Sequence, residues 1–321
     1  MNYFPTEGVT LSRTLSDIQI RDPFVLTLAD TREYLLFGST DKNIWSGPAA
    51  GFDCYRSRDL AMWDGPFAAF RPSPTFWSQE QYWAPEVHEH QGRYFMFATF
   101  IAPGHLRGTQ ILSAGQPEGP FQPWSDGPVT PRNWQCLDGT LHVDQEGVPW
   151  IVFCHEWKQV HDGAVMAQRL TADLRSAEGV PVFLFSASEA PWARALDAPS
   201  VKDREFPVFV TDGPFLFRLS SGKLIMLWSS FGDDGYAMGI ARSGSGTVLG
   251  PWIQEPRPLW SANGGHGMIG RTLDGNLFLT LHQPNGTPDE RAAFFALDEL
   301  EDTVVLSLED TDARSILRMR G

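Results

Sequence analysis

Residues 20–26 read IRDPFVL, a charged Arg-Asp pair set directly against an apolar run. A surface turn accounts for the pair and a buried strand for the run, but the combination recurs. Asp22-Pro23-Phe24-Val25 leads to EYLLFGST, and Ala84-Pro85-Glu86-Val87 leads to RYFMFATF. Asp138-Gly139-Thr140-Leu141 leads to PWIVFCHE, Asp212-Gly213-Pro214-Phe215 to KLIMLWSSF, and His266-Gly267-Met268-Ile269 to NLFLTLHQ. Each unit has a polar or small residue, then Pro or Gly, then a short apolar strand, a turn and a strongly apolar second strand.

The openings lie 62, 54, 74 and 54 residues apart, and helical periodicity is scarce between them. Four-stranded units at this spacing are the blades of a β-propeller. A blade cannot bury both faces alone, so neighbours must stack around an axis. The sequence therefore predicts an all-β, five-bladed β-propeller. Residues 1–321 form one domain, with blade openings near Asp22, Ala84, Asp138, Asp212 and His266. The innermost strand of each blade lines the central channel, so these five residues are expected to ring one of its mouths. A single Asp before Pro or Gly often only starts a turn. Three of them at one place in a repeat point to a site.

The bulk composition limits the partners. The 321 residues carry a net charge of −14 and an ordinary apolar content of 42%. That field repels phosphate backbones and anionic lipid, so nucleic acid and membrane surfaces are poor partners and a neutral small oligosaccharide fits better. Three cysteines, Cys54, Cys136 and Cys154, form no CxxC pair and read as reduced thiols rather than a disulfide frame or a zinc site. The first residues show no basic and apolar leader pattern, and no apolar run reaches the ~18 residues of a membrane span, so a cytoplasmic protein is expected.

Carboxylates held close resist ionising together, and their pKa values are driven apart. One then serves as base and another as acid, the division of labour that glycosidic hydrolysis requires. With roughly 6.5–9.5 Å between them, a water fits and the anomeric configuration inverts. Twelve tryptophans suit a sugar, whose C–H faces stack on indoles. Trp83 and Trp134 precede ring positions and Trp77 lies in a long connection; these three are the candidate substrate-binding residues, whereas Trp150, Trp228 and Trp260 read as core. Trp45 and Trp63 lie in what reads as a long first-blade insert, residues 41–66, which is expected to close one end of a cleft.

Taken in order, RDPFVL, YWAPEV, LDGTLHVDQEGVPWIVF, DGPFLFRLSSGKLIMLWSSF and GHGMIG resemble the five blade openings of glycoside hydrolase family 43. The resemblance covers about residues 15–295. It implies a five-bladed propeller that hydrolyses with inversion, the activities being mostly α-L-arabinofuranosidase, β-xylosidase and arabinanase. By position it makes Asp22 the general base and Asp138 the pKa modulator. His266 matches a channel histidine that often helps to hold a calcium ion or water, and Arg291 falls where a sugar-binding arginine is often placed.

One departure concerns the acid. The family's EGP opening of the fourth blade reads Asp212-Gly213-Pro214 here, and aspartate reaches about 1.5 Å less far than glutamate. Glu156, ending the second strand of the third unit, is the alternative general acid. The reading is an exo-acting inverting glycosidase that removes terminal pentoses, α-L-arabinofuranosidase ahead of β-xylosidase, with a non-hydrolytic glycan-binding propeller as the rival. No organic cofactor is required, and Ca²⁺ in the central channel is the one metal expected.

Overall fold

The computed structural model describes residues 12–307. Five antiparallel sheets follow one another along the chain, each ordered from an innermost to an outermost strand. Blade 1 contains Arg21–Leu28, Glu33–Ser39, Phe52–Ser57 and Trp63–Phe70, with Ser12–Arg13 added outside the last. Blades 2 to 5 have innermost strands Glu80–His90, Cys136–Val143, Asp212–Arg218 and Gly265–Arg271. The five-bladed propeller read from the repeats is the observed fold. The supposed insert at 41–66 is mostly blade, because Phe52–Ser57 and the start of Trp63–Phe70 lie in it. Trp63 is accordingly fully buried, and only residues 40–51 and the short turn 58–62 connect strands.

The apolar runs that lack strand alternation are explained by burial on both faces. In blade 2, Met96 packs toward blade 1 while Phe95 and Phe97 pack toward blade 3. In blade 3, Val152 faces blade 4, and Ile151 and Phe153 face blade 2. Met226 and Leu227 divide likewise between the third and fifth blades. The core is thus a set of inter-blade layers, and each fully buried side chain of this kind contributes about 1.5–3 kcal/mol.

Every blade opening is a β-bulge. Pairing steps from Arg21↔Ser39 to Phe24↔Phe37 in blade 1, and from Trp83↔Thr99 to Glu86↔Phe97 in blade 2. The equivalent first pairs are Leu137↔Cys154, Asp212↔Ser229 and Gly265↔His282. The bulged residue takes a left-handed φ each time: Asp22 54°, Ala84 46°, Asp138 54°, Gly213 51° and His266 48°. This corrects the register read from the sequence in one blade. Gly213, not Asp212, is the fourth ring position, and Asp212 occupies the place that Arg21 holds in blade 1.

The bulges are tied across blade boundaries. The amide of Ala84 donates to Ser39 Oγ (2.8 Å), that of Asp138 to Thr99 Oγ1 (2.9 Å), and that of His266 to Ser229 Oγ (2.8 Å). The amide of Asp22 donates to His282 Nδ1 (3.2 Å), closing the circle from blade 5 to blade 1. Blade 4 breaks the rule, since the Gly213 amide donates to the Asp138 carboxylate instead (3.1 Å). A Cβ on Gly213 would stand 2.5 Å from His266 Cδ2. Gly213→Ala is therefore expected to lower stability by at least about 1–3 kcal/mol through backbone strain and this clash, read as a drop in thermal midpoint.

Arg291 serves the same closure rather than the sugar. Its Nε donates to Ser16 O (2.8 Å), and its Nη1 donates to Pro288 O and Glu290 O. It lies outside the central cavity lining, which corrects its assignment as a sugar-binding arginine. The arginine in the cavity is Arg21.

Candidate active site

A cavity of about 370 Å³ opens at the mouth where the innermost strands begin. Asp22, Asp138, Asp212 and His266 line its floor, and Glu156, Arg21, Trp45, Trp83 and Tyr236 line its walls. Four of the five blade-opening residues read from the sequence thus line one cavity, and Ala84 does not.

His266 sits among the carboxylates, with Nδ1 3.1 Å from Asp22 Oδ1 and 3.6 Å from Asp138 Oδ2. Burial alone would lower its pKa, but Asp22 and Asp138 outweigh that and push it up to about 10. It is an imidazolium at neutral pH. His282 behaves oppositely: its Nδ1 accepts the Asp22 amide, so the proton is on Nε2, which faces Asn285 Oδ1 at 3.2 Å. Burial and the nearby Arg21 hold it neutral, with a pKa down to about 3.

The carboxylates differ in environment. Burial opposes ionisation of Asp22, but the charge and hydrogen bond of His266 and the charge of Arg21 prevail. Its pKa lies well below the usual carboxylate range. Ser39 Oγ also donates to Asp22 Oδ2 (2.7 Å). Asp138 is pushed up to about 7, chiefly by burial and then by the neighbouring Asp212 and Asp22. Asp212 rises to about 6, again by burial first, although His266 and a hydrogen bond from Tyr236 hold it back. That bond runs from Tyr236 Oη to Asp212 Oδ2 at 2.9 Å.

Glu156 is buried at the end of Pro149–His155, on the same face as Asp138, and it starts the short helix Trp157–Val160. It lies between two cations, with Lys158 Nζ 3.0 Å from Oε1 and Arg107 Nε 3.8 Å from Oε2. This is the setting of a carboxylate that positions or binds, whereas Asp212 has only a neutral hydroxyl as hydrogen-bond donor.

Of the tryptophans, Trp83 is in the cavity. Its Nε1 donates to Ile44 O (2.7 Å), the Arg107 guanidinium lies 3.5 Å over its ring, and Trp45 meets it edge-on at 5.3 Å. Trp134 stacks on His155 at 4.3 Å and is outside the cavity lining, so its expected sugar contact there does not hold. Trp77 also lies outside it and lines a neighbouring cavity instead.

Arg21, Tyr236, His282 and Trp45 were not singled out as site residues from sequence. Arg21 had a signal, since it is half of the Arg-Asp pair in IRDP. His282 had one too, as the polar residue that ends an apolar second strand, the place held elsewhere by Ser39, Thr99 and Ser229. Tyr236 had none, because it comes from a third strand, Gly235–Ser243.

Among the described residues, no group of three or more His, Cys, Asp or Glu side chains could hold a metal ion. Calcium takes six to eight oxygen ligands, and the one protein ligand expected for it, His266, has Nδ1 engaged by Asp22. Among the described residues the donor set does not form a calcium cage. Among the described residues no helix is long and apolar enough to cross a membrane.

One carboxylate kept ionised beside others whose pKa values are raised can carry both halves of acid–base catalysis. On a propeller axis, under indole walls, that chemistry defines a glycoside hydrolase. The model for Glycosyl hydrolases family 43 matches residues 14–295, and the chain belongs to that family. A similar solved structure is the endo-arabinase from Bacteroides thetaiotaomicron VPI-5482. It is 42% identical with a TM-score of 0.83, over 92% of this chain and 100% of that one. An α-L-arabinofuranosidase from Lactobacillus brevis shares the fold, with 15% identity and a TM-score of 0.65 over 91% of this chain and 97% of that one. "Alpha-L-arabinofuranosidase 43" of Humicola insolens is 22% identical over 228 residues, 65% of this chain. The chain spans 44% of the length of that curated relative.

Proposed function

We propose that the protein is an inverting glycosidase that releases terminal α-L-arabinofuranosyl units from oligosaccharides. The observation that carries this is the separation of the carboxylates: Asp22 is held ionised, while Asp212 and Asp138 are raised toward neutrality. Asp22 takes a proton from the attacking water. Asp212 gives one to the leaving oxygen, and Asp138, which shares His266 with Asp22, tunes and orients the pair. Ser39 and His266 hold Asp22 in place, and Tyr236 holds Asp212.

The sugar and the exo mode rest on two supports. The named activities of the 42%-identical structure and the curated relative both concern arabinose. Trp45 Nε1 donates to Thr287 Oγ1 (2.9 Å), joining the connections of blades 1 and 5 into a wall on one side of the cavity. Endo-action on arabinan is the second reading, favoured by the name of the 42%-identical structure. Nitrophenyl α-L-arabinofuranoside, β-D-xyloside, β-D-galactoside and β-D-glucoside, run beside linear arabinan, separate the cases. Turnover of the arabinofuranoside with only monosaccharide released from arabinan is expected. Internal oligomers from arabinan would establish the endo mode, and turnover of the xyloside alone would replace the sugar.

The same assignment fixes the pH profile of kcat/KM. The acid must be protonated, so activity falls as pH rises through about 6 to 7. The base stays ionised below the usual carboxylate range, so it imposes no acid limb there. Tyr236→Phe removes a hydrogen bond that favours the ionised form of Asp212. The alkaline limb is expected to move up by about 0.5–1 pH unit, the equivalent of one hydrogen bond's net ~1 kcal/mol. A downward move would show that Asp212 is not the group titrating.

A further inference from the structure

Glu290 is a fully buried carboxylate that takes no part in the proton transfers described above. Its backbone carbonyl already serves the seam between blades 5 and 1, accepting from Ile20 N (3.3 Å) and Arg291 Nη1 (2.8 Å). Closure therefore does not call for a charged side chain at this position. A buried carboxylate is costly unless it is paired. Among the described residues the cation paired with it is Arg21, whose Nη1 lies 3.3 Å from Oε1. Thr287 Oγ1 donates to the same oxygen, and Oε2 has no partner.

Arg21 is held at three points. Glu290 takes Nη1, Asn285 Oδ1 takes Nη2 (2.8 Å), and the Trp45 ring centre lies 5.2 Å from the guanidinium carbon. The same Asn285 oxygen faces His282 Nε2 at 3.2 Å, and His282 Nδ1 accepts the amide of Asp22 (3.2 Å). A continuous path thus runs from Glu290 through Arg21, Asn285 and His282 to Asp22. Its last tie has a chemical condition, because Nδ1 can accept only while the imidazole is neutral. Facing that ring are Asp22, with Oδ1 3.5 Å from Nδ1, Tyr236 stacked at 5.7 Å, His266 at 6.5 Å, and Arg21. The charge of Asp22 invites a second proton, and the charges of Arg21 and His266 oppose it.

On the reading above, in which Asp22 is the general base, we infer that Glu290 is a positioning residue of the hydrolysis. It fixes Arg21 beside His282, so that His282 keeps a single proton and holds the backbone of the base. Without Glu290, Arg21 can turn toward the open cavity that it lines. A proton arriving at His282 Nδ1 would then pair with the Asp22 carboxylate and break the tie to the Asp22 amide. The effect has one sign: His282 titrates higher, and activity is lost as pH falls.

Two readouts test this on Glu290→Met, Arg21→Met and the double variant. In ¹⁵N-histidine NMR of the full chain, His282 is assigned by the signal lost in His282→Gln. Its pKa, held down to about 3 by burial and Arg21, should rise by about 1.5–2 units in each single variant, toward the ordinary ~6.5. The second readout is the ratio of kcat/KM at about pH 5.5 to that at about pH 4, on a nitrophenyl glycoside that wild type cleaves. A general loss of activity cancels in that ratio, which should grow about fourfold to eightfold in the single variants, as such a shift entails. The double variant should behave as Arg21→Met does, because Glu290 acts only through Arg21. An unchanged His282 pKa in the single variants, a further shift in the double, or a raised pKa with a constant ratio would each overturn the inference. If Glu290→Met folds poorly, the double variant buries no unpaired charge and carries the test: a His282 pKa left as in wild type overturns it, and a raised one supports it. If wild type cleaves no glycoside of the panel, the proposed reaction fails alone, and the NMR titrations decide whether Glu290 governs His282.

Discussion

Asp22→Asn is expected to leave a folded propeller whose kcat falls by about 10²–10⁴-fold, the range that a positioned general base supplies. Asparagine keeps the shape and can still accept from Ser39, but it cannot take a proton from water. It also removes the charge that His266 faces at 3.1 Å. The loss should be equally large on nitrophenyl and natural substrates, because water attack is required in both. KM should change little, and circular dichroism should be native. Near wild-type turnover by a folded Asp22→Asn protein would remove Asp22 from the reaction.

Asp212→Asn should separate substrates where Asp22→Asn does not. Nitrophenolate leaves with little help from an acid, so its release is expected to fall by less than about tenfold. A disaccharide alkoxide needs the proton, and its hydrolysis should fall by about 10²–10⁴-fold. Glu156→Gln is the counterpart. Its carboxylate faces Lys158 and Arg107, so the expected effect is weaker binding or misplacement, similar on both substrates. The opposite pattern would make Glu156 the proton donor despite its two cations. Measured together, the two variants decide a question that the shortened side chain at position 212 raises and sequence leaves open.

The architecture was legible because each blade repeats a physical necessity. A second strand buried on both faces must be apolar without alternation, and a bulged opening favours Pro, Gly or a short polar residue, so five units could be found in order. The register of the fourth was off by one residue because Asp212-Gly213-Pro214 fits the pattern in two ways. Only the pairing of Asp212 with Ser229 and the positive φ of Gly213 distinguish them. Asp22, Asp138 and His266 were legible through their recurrence at one place in the unit, and Asp212 through standing one residue before it. Trp45, which lies on a connection, and Tyr236, which lies on a third strand, occupy places that no repeat marks. Arg291 was misread for a related reason: an arginine near a blade end can face the cavity or the seam, and only tertiary contacts distinguish the two.

The seam itself has a consequence for when the protein becomes an enzyme. Among the described residues, blades 1 and 5 share no strand. They are joined by Asp22 N to His282, Ile20 N to Glu290 O, Arg21 to Glu290 and Arg291 to Ser16. Asp22 lies on the first of the five blades in chain order, and His266, which pairs with it, lies on the last. On the roles proposed above, no incomplete circle of blades brings base, acid and imidazolium together, so the site is assembled only when the circle shuts.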